Sequence, residues 1–303
     1  MGAGQIEEAG LEPNPEDFEA LYDDLATSGQ HDTVIVEIES RVRDYFTHLE
    51  LPPTATVYDY LLLSLRPKDL IATFNWDPLL VQAFRRHAGF ISMPQLAFLH
   101  GNVAVGFCDT HQKCGWHDER CPVCKKLFSP SSLLFPVRNK DYKAQPFIRS
   151  QWALLEDLLE EAYFFTIFGY RAPTTDAAAR SLLLRVWSKN RTREIAEIEM
   201  IDTRSAEDLR RTWEDFIVRS HSITGDDVMR SYTSWHPRRS CDALFAATMR
   251  NDPWGDDRLP KFEDPVELRA WVEPLWREES HLRGSGQQFS GRPCREWHDE
   301  SSK

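Results

Sequence analysis

Short apolar segments alternate with amphipathic ones through the middle of the sequence, and this alternation constrains the fold more than any other feature. The strand-like segments are DLIATFN, LAFLHG, YFFTIFG and EIAEIEMID. The segments that follow or precede them place apolar residues three and four positions apart, which is the spacing of a helix with one buried face. Strands that alternate with helices in this way pair in parallel. The sequence therefore predicts an α/β fold, a parallel sheet with helices on both faces.

Polar residues and glycines follow the predicted strands, at the point where each strand ends. Open parallel sheets bind ligands in the crevice outside the carboxyl ends of their strands. Asn and Asp after a strand also commonly cap the next helix, so a structural role stays open for each of them. Six residues are expected to face one crevice: Asn75, Asp77, His100, Gly169, Tyr170 and Asp202.

Charge and hydropathy exclude several classes of protein. The chain has 36 Lys and Arg against 48 Asp and Glu, a net charge of -12, which disfavours direct binding to nucleic acid or to an acidic membrane. Its longest apolar runs, such as YLLLSL and AYFFTIFGY, are far shorter than the roughly 18 residues of a membrane-spanning helix. The N-terminus lacks the basic and apolar pattern of a secretory signal. We expect a cytoplasmic protein that binds a small molecule.

Four of the six cysteines are clustered, which in a reducing compartment favours metal binding over disulfides. Cys121 and Cys124 have the spacing at which two thiolates bind one tetrahedral zinc ion. Two pairs could complete the site: Cys108 with His111, or Cys114 with His117. We favour the first pair, with Cys114 as the substitute. Because four-ligand sites are structural, zinc is expected to stabilise a small insert at about residues 106–128.

Motifs at the first two strand ends and in the cysteine cluster resemble those of the SIR2 (sirtuin-like) family, in particular its divergent microbial branch. Thr73 to Asp77, TFNWD, is similar to the T-x-N-x-D segment of the family, and Leu99 to Gly101, LHG, looks like the segment with the catalytic histidine. CPVCKKLFSP is similar to the C-P-x-C-x-x-x-L-x-P of the zinc module. The resemblance covers residues 1–204 and implies a Rossmann-like fold with a zinc-ribbon insert.

The resemblance also implies NAD as the ligand. Gly2, Ala3 and Gly4 match the glycine turn that contacts the pyrophosphate. The family's first strand precedes this turn and is missing here, so we expect the sequence to start at an internal Met or to be truncated. The resemblance implies further contacts with the nicotinamide ribose and with the rest of the cofactor. The residues that would make them are Thr73, Phe74, Asn75, Asp77, Gly169, Tyr170 and Asp202.

For the activity, the resemblance implies His100 as a general base, Asn75 as the group that positions the ribose and a water, and Asp77 as the group that fixes the loop or balances positive charge. The favoured reaction is NAD hydrolysis to nicotinamide and ADP-ribose, as in antiviral defence effectors. The alternatives are an NAD-dependent protein lysine deacylase and an inactive NAD-binding module. Phe74 replaces a Gln of the deacylases, and LLFPVRNKDY lacks their Phe-Gly-Glu stretch, which disfavours deacylation.

The last third of the chain lies outside the resemblance. Helical patterns over residues 205–219, 237–250 and 264–278 predict a helical C-terminal extension, 205–282. Residues 283–303 are polar and rich in Gly and Ser, which is typical of a disordered tail. A homo-oligomer and an activating partner protein both stay open.

Overall fold

The structure, a computed structural model, describes residues 18–28, 32–137, 142–173, 176–254 and 258–284. The predicted glycine turn at Gly2, Ala3 and Gly4 and all but the first two residues of the predicted tail lie outside the described residues. None of the described helices is both long enough and apolar enough to cross a membrane.

Helices and strands alternate through most of the described chain. The helices are α1 (Phe18–Ser28), α2 (Asp32–Thr47), α3 (Val57–Ser64), α4 (Leu79–His87), α5 (Pro146–Leu159), α6 (Ala177–Trp187), α7 (Ala206–Trp213), α8 (Tyr232–Trp235), α9 (Ser240–Phe245) and α10 (Pro265–Gly284). The strands are β1 (Leu70–Thr73), β2 (Gln95–Phe98), β3 (Val105–Cys108), β4 (Lys113–Trp116), β5 (Ser129–Pro130), β6 (Phe164–Phe168), β7 (Glu197–Ile201) and β8 (Ser222–Gly225).

The α/β fold with parallel strands is confirmed. β1 pairs with β2 in parallel, from Leu70 opposite Gln95 to Thr73 opposite Phe98. β6, β7 and β8 form a second parallel sheet in the order β6-β7-β8. Among the described residues, the parallel strands thus form two sheets rather than one continuous sheet. In both sheets, the predicted site residues follow the carboxyl ends of the strands.

One hydrophobic core extends across both parallel sheets. β2 and β7 are buried along their whole length, and α5 packs against β1 and β2. The largest buried side chains of this core include Phe98 on β2, Trp152 on α5, Trp187 on α6 and Met200 on β7. Burial of an aromatic or large aliphatic side chain stabilises a fold by about 1.5–3 kcal/mol, so this core fixes the strand ends relative to one another.

The insert predicted at residues 106–128 forms a small antiparallel sheet in the order β4-β3-β5, which extends just beyond both predicted ends, to Val105 and to Pro130. Val105 lies opposite Trp116 and Cys108 opposite Lys113. The Phe128 ring packs directly on Gly115, where an added Cβ would lie 2.4 Å from the ring. Glycine is therefore required there for the strands and the following loop to approach closely.

The segment predicted as a helical extension contains a strand that the sequence analysis missed. β8 pairs in parallel with β7, from Ser222 opposite Ile198 to Gly225 opposite Ile201. The prediction of an all-helical segment from residue 205 is wrong on this point, because the backbone of 222–225 completes the ladder of β7. The domain boundary at residue 204 stays a prediction.

A buried arginine attaches the C-terminal helices to the rest of the fold. Arg238 is 1% exposed, and its Nε and Nη2 atoms donate to the Glu279 carboxylate at 2.8 and 3.0 Å. Nη1 donates to the carbonyl of Leu65 at 2.8 Å, and Nη2 to that of Ser92 at 3.1 Å. The guanidinium thus joins α10 to the segments before β1 and β2.

Candidate functional site

Phe74 lies where the carboxyl ends of three parallel strands meet. It directly follows β1, and its ring stacks on Tyr170, which follows β6, with centroids 4.3 Å apart and planes 16° apart. The same ring meets His100, which follows β2, edge-on at 4.7 Å. Thr73 contributes through its backbone, since its carbonyl accepts the N–H of Leu99 at 2.9 Å. Segments from three parts of the sequence therefore form one cluster.

His100 is buried beneath this cluster rather than open to solvent. Its exposed fraction is 6%. The Nε2 atom lies 3.3 Å from the hydroxyl of Tyr142 and 3.8 Å from Oδ1 of Asp176. Burial, and then the nearby charge of Asp176, raise the pKa of Tyr142 above its usual value, so this phenol stays neutral at all physiological pH values. His100 thus faces one neutral hydroxyl and one carboxylate.

Asp176 belongs to this site, although the sequence analysis did not identify it. It is 6% exposed, and its Oδ2 atom accepts a hydrogen bond from the hydroxyl of Tyr170 at 3.2 Å. In the sequence, Asp176 lies 76 positions after His100 and directly before a helix. An aspartate in that place has the pattern of an ordinary helix cap. Only the tertiary structure distinguishes it from one.

Asn75 and Asp77 lie beside the cluster and differ in what their side chains do. Asn75 is exposed, and its Nδ2 atom lies 3.5 Å from the hydroxyl of Tyr58. Oδ1 of Asp77 accepts the backbone N–H of Leu79 at 3.0 Å, in a turn that leads into α4. Asp77 thus has the structural role left open by the sequence, whereas Asn75 offers its amide to the surface.

Asn102 holds the Asn75 loop in place and was also missed from the sequence. Its Nδ2 atom donates to the backbone carbonyl of Asp77 at 2.6 Å and to that of Asn75 at 3.4 Å. It is 1% exposed and lies two residues after His100. The loop after β1 and the loop after β2 are therefore joined directly by hydrogen bonds.

A shallow cleft lies at the ends of β6 and β7. Gly169 lines it with a positive φ of 63°, and an added Cβ at this position would meet no atom within 4 Å. Asp202 lines it too. Burial alone would raise the pKa of Asp202, but the hydrogen bonds and charge of Arg204 outweigh that effect and lower it. The cleft is too shallow to enclose a ligand, whereas most ligand sites measure roughly 300–1,000 Å³.

The four favoured metal ligands lie together. One potential ligand atom from each of four residues falls within 4.8 Å of the others: Cys108, His111, Cys121 and Cys124. The Sγ atoms of Cys108 and Cys124 are 3.8 Å apart, and Nδ1 of His111 lies 3.5 Å from Cys108 Sγ and 3.8 Å from Cys121 Sγ. A tetrahedral zinc with Zn–S near 2.3 Å and Zn–N near 2.0 Å separates its ligand atoms by about 3.5–3.8 Å, so the donors fit zinc.

Cys114, the predicted substitute ligand, is not part of this group. It lies opposite Phe107 in the β3–β4 ladder, packs against the main core, and has its Sγ atom 4.0 Å from Nε2 of Gln151. Strand alternation explains the difference, because neighbouring residues of a strand point to opposite faces. His117, the other member of the alternative pair, has Nδ1 3.3 Å from the carbonyl of Ala104.

Comparison with known proteins finds similarity only among solved structures. No family model and no curated protein matches the chain. The chain is similar to a Sir2 crystal structure in complex with an inhibitor, 2′-O-acetyl-ADP-ribose and a deacetylated peptide, at 15% identity and a TM-score of 0.36, over 74% of this chain and 84% of that one. It is also similar to a mutant Sir2 homologue in complex with ADP-ribose, at 11% identity and a TM-score of 0.38, over 92% and 91%. Both similarities are too low to assign an activity or a ligand to this chain.

Proposed function

We propose that the chain is a SIR2-like protein that binds NAD and hydrolyses it to nicotinamide and ADP-ribose. The observation that supports this proposal best is the contact of Phe74 with both His100 and Tyr170. Phe74 and His100 belong to segments that resemble SIR2 motifs, and Tyr170 is a cofactor contact that the resemblance implies. The three residues converge at the carboxyl ends of parallel strands. This is the edge at which open parallel sheets bind their ligands.

The chemistry requires little acid catalysis, because the pyridinium of NAD is already a good leaving group. The protein must instead bind the dinucleotide in a reactive geometry and stabilise the ribose as positive charge develops on it. In the proposed reaction His100 accepts a proton from a ribose hydroxyl or from the attacking water. Asn75, whose amide is exposed beside the same loop, positions the ribose and that water.

Binding of a dinucleotide requires the site to open. The cleft beside Gly169 is shallow, and Tyr170, which lines it, stacks on Phe74. Phe74 in turn contacts His100. An aromatic stack of this kind contributes only about 0.5–1.5 kcal/mol beyond its burial, so the binding energy of NAD can displace it. We therefore propose that Phe74 and Tyr170 separate when the nicotinamide ribose enters.

Zinc in the insert is proposed to be structural. The four donors Cys108, His111, Cys121 and Cys124 would complete the tetrahedral shell and leave no position for a substrate. When bound, the ion supplies stability to a segment whose own sheet has only short strands. It supplies no chemistry at His100.

The products of the reaction distinguish the proposed activity from its alternative. Purified protein is incubated with NAD alone and with NAD plus an acetylated lysine peptide, and the products are separated by chromatography. The proposal expects nicotinamide and ADP-ribose in equal amounts in both incubations. Formation of O-acetyl-ADP-ribose only when the peptide is present would identify a deacylase, and an unchanged NAD pool in both would refute hydrolysis.

A further inference from the structure

The carboxylate of Asp176 is buried and lies close to the imidazole of His100. Its side chain is 8% exposed, and that of His100 7%, with Oδ1 and Nε2 3.8 Å apart. The second carboxylate oxygen accepts the hydroxyl of Tyr170 at 3.2 Å. Tyr170 in turn stacks on Phe74, which contacts His100. The carboxylate is therefore held in a fixed position by the same cluster that surrounds the imidazole.

The usual structural explanation for an aspartate at this position does not apply. Asp176 precedes the first residue of α6, where an Asp side chain normally accepts a backbone N–H of the first turn. Here the side chain makes no such capping hydrogen bond. A buried ionised carboxylate is costly unless it is paired, and Tyr170 and His100 are among the groups that contact this one.

We propose that Asp176 is a positioning residue for His100, and that its negative charge stabilises the imidazolium which forms when His100 accepts a proton. The coupling of the two groups is a property of the folded protein, and its consequence for catalysis rests on the proposed function. Tyr142, a neutral phenol, also faces the imidazole, with its hydroxyl 3.3 Å from Nε2. Phe74 and Trp152, which flank the site, carry no charge.

The proton balance of the proposed step explains why the charge matters. An O–H bond of the ribose or of the attacking water breaks, its electron pair stays on oxygen, and the proton moves to the His100 ring. The ring then carries a positive charge inside a buried site. An opposite charge within about 4–6 Å favours that charged form, so the carboxylate of Asp176 makes His100 a stronger base.

The test measures the titration of His100 directly, without the need for catalysis. Full-length protein labelled with ¹³C-histidine is titrated by NMR, and the His100 signal among the 10 histidines is assigned with the His100→Gln variant. Removal of the charge in Asp176→Asn should lower the titration midpoint of His100 by about one pH unit or more. Asp157→Asn, which removes an exposed carboxylate on α5, is the matched control and should not change it.

An unchanged midpoint in folded Asp176→Asn would overturn the proposal. If that variant does not fold, Asp176→Ser removes the same charge with a smaller polar side chain and provides the same comparison. Because the midpoint is read from the free protein, the result stands whether or not NAD is hydrolysed. If NAD is hydrolysed, the acid limb of the kcat profile should move to lower pH in Asp176→Asn by the same amount as the midpoint.

Discussion

Glu199 is a buried carboxyl group on β7, and its replacement by glutamine is predicted to change the pH dependence of stability. The residue is 2% exposed. Its carboxyl oxygens accept the backbone N–H of Tyr232 at 2.9 Å and the hydroxyl of Thr166 at 3.2 Å. Burial raises the pKa of Glu199 from 4.5 to about 7, although these two hydrogen bonds lower it in part. The folded protein therefore favours the protonated acid.

The sign and the size of the effect follow from this pKa. Between pH 4.5 and 7 the folded protein binds more protons at Glu199 than the unfolded chain, so the free energy of unfolding falls as pH rises. One pKa unit corresponds to about 1.4 kcal/mol, and the interval from pH 5 to 8 includes most of the shift. Relative to wild type, Glu199→Gln should therefore gain roughly 2–3 kcal/mol of stability between pH 5 and pH 8.

Urea unfolding at pH 5 and pH 8, followed by tryptophan fluorescence, measures this difference. Glutamine keeps the size of the side chain and can still bond to Tyr232 and Thr166, so any constant cost of the substitution cancels between the two pH values. Glu207→Gln is the control, because its carboxylate is 85% exposed, and it should show no pH-dependent gain. If Glu199→Gln differs from wild type by the same amount at both pH values, the carboxyl group is ionised throughout and the reasoning is refuted.

Two further predictions concern the insert and the C-terminal helices. Cys121→Ser should abolish zinc binding, whereas Cys114→Ser should keep one zinc per chain; elemental analysis of both variants checks this, and full zinc in Cys121→Ser would contradict the proposed ligand set. Arg238→Ala should destabilise the fold by about 3–5 kcal/mol, because the buried Glu279 carboxylate loses both hydrogen bonds from Arg238 and keeps only the longer contact with Arg66 Nε at 3.4 Å. Urea unfolding measures this loss of stability. The control is Arg277→Ala, which removes an ion pair exposed on the surface and should cost about 1 kcal/mol or less. Equal costs for the two variants would contradict a buried role for Arg238.

Local sequence patterns were enough to predict the strands that form the site. β1, β2, β6 and β7 each contain a short apolar run followed by polar residues or glycine, and their parallel pairing follows from the helices between them. The grouping of Cys108, His111, Cys121 and Cys124 was also favoured, from the two-residue spacing within each pair, whereas the exclusion of Cys114 depends on the pairing of β3 with β4.

Features that depend on distant contacts were not predictable in this way. β8 consists of Ser222 to Gly225 and has no apolar run of its own, so only its pairing with β7 makes it a strand. Asp176 has the sequence pattern of a helix cap, and its approach to His100 arises from the packing of the loop after β6 on the end of β2. The division of the parallel strands into two sheets likewise has no signature in the sequence.

Release of nicotinamide by the wild-type protein, measured beside His100→Ala, tests the central proposal most directly. Both proteins are loaded with zinc, checked by circular dichroism for the same fold, and incubated with NAD under identical conditions, while chromatography follows nicotinamide and ADP-ribose. The account predicts that wild type forms both products and that His100→Ala, although folded, forms neither above the rate without protein. Equal product formation by the two proteins, or none by either, would contradict the assignment of His100 as the base of an NAD hydrolase.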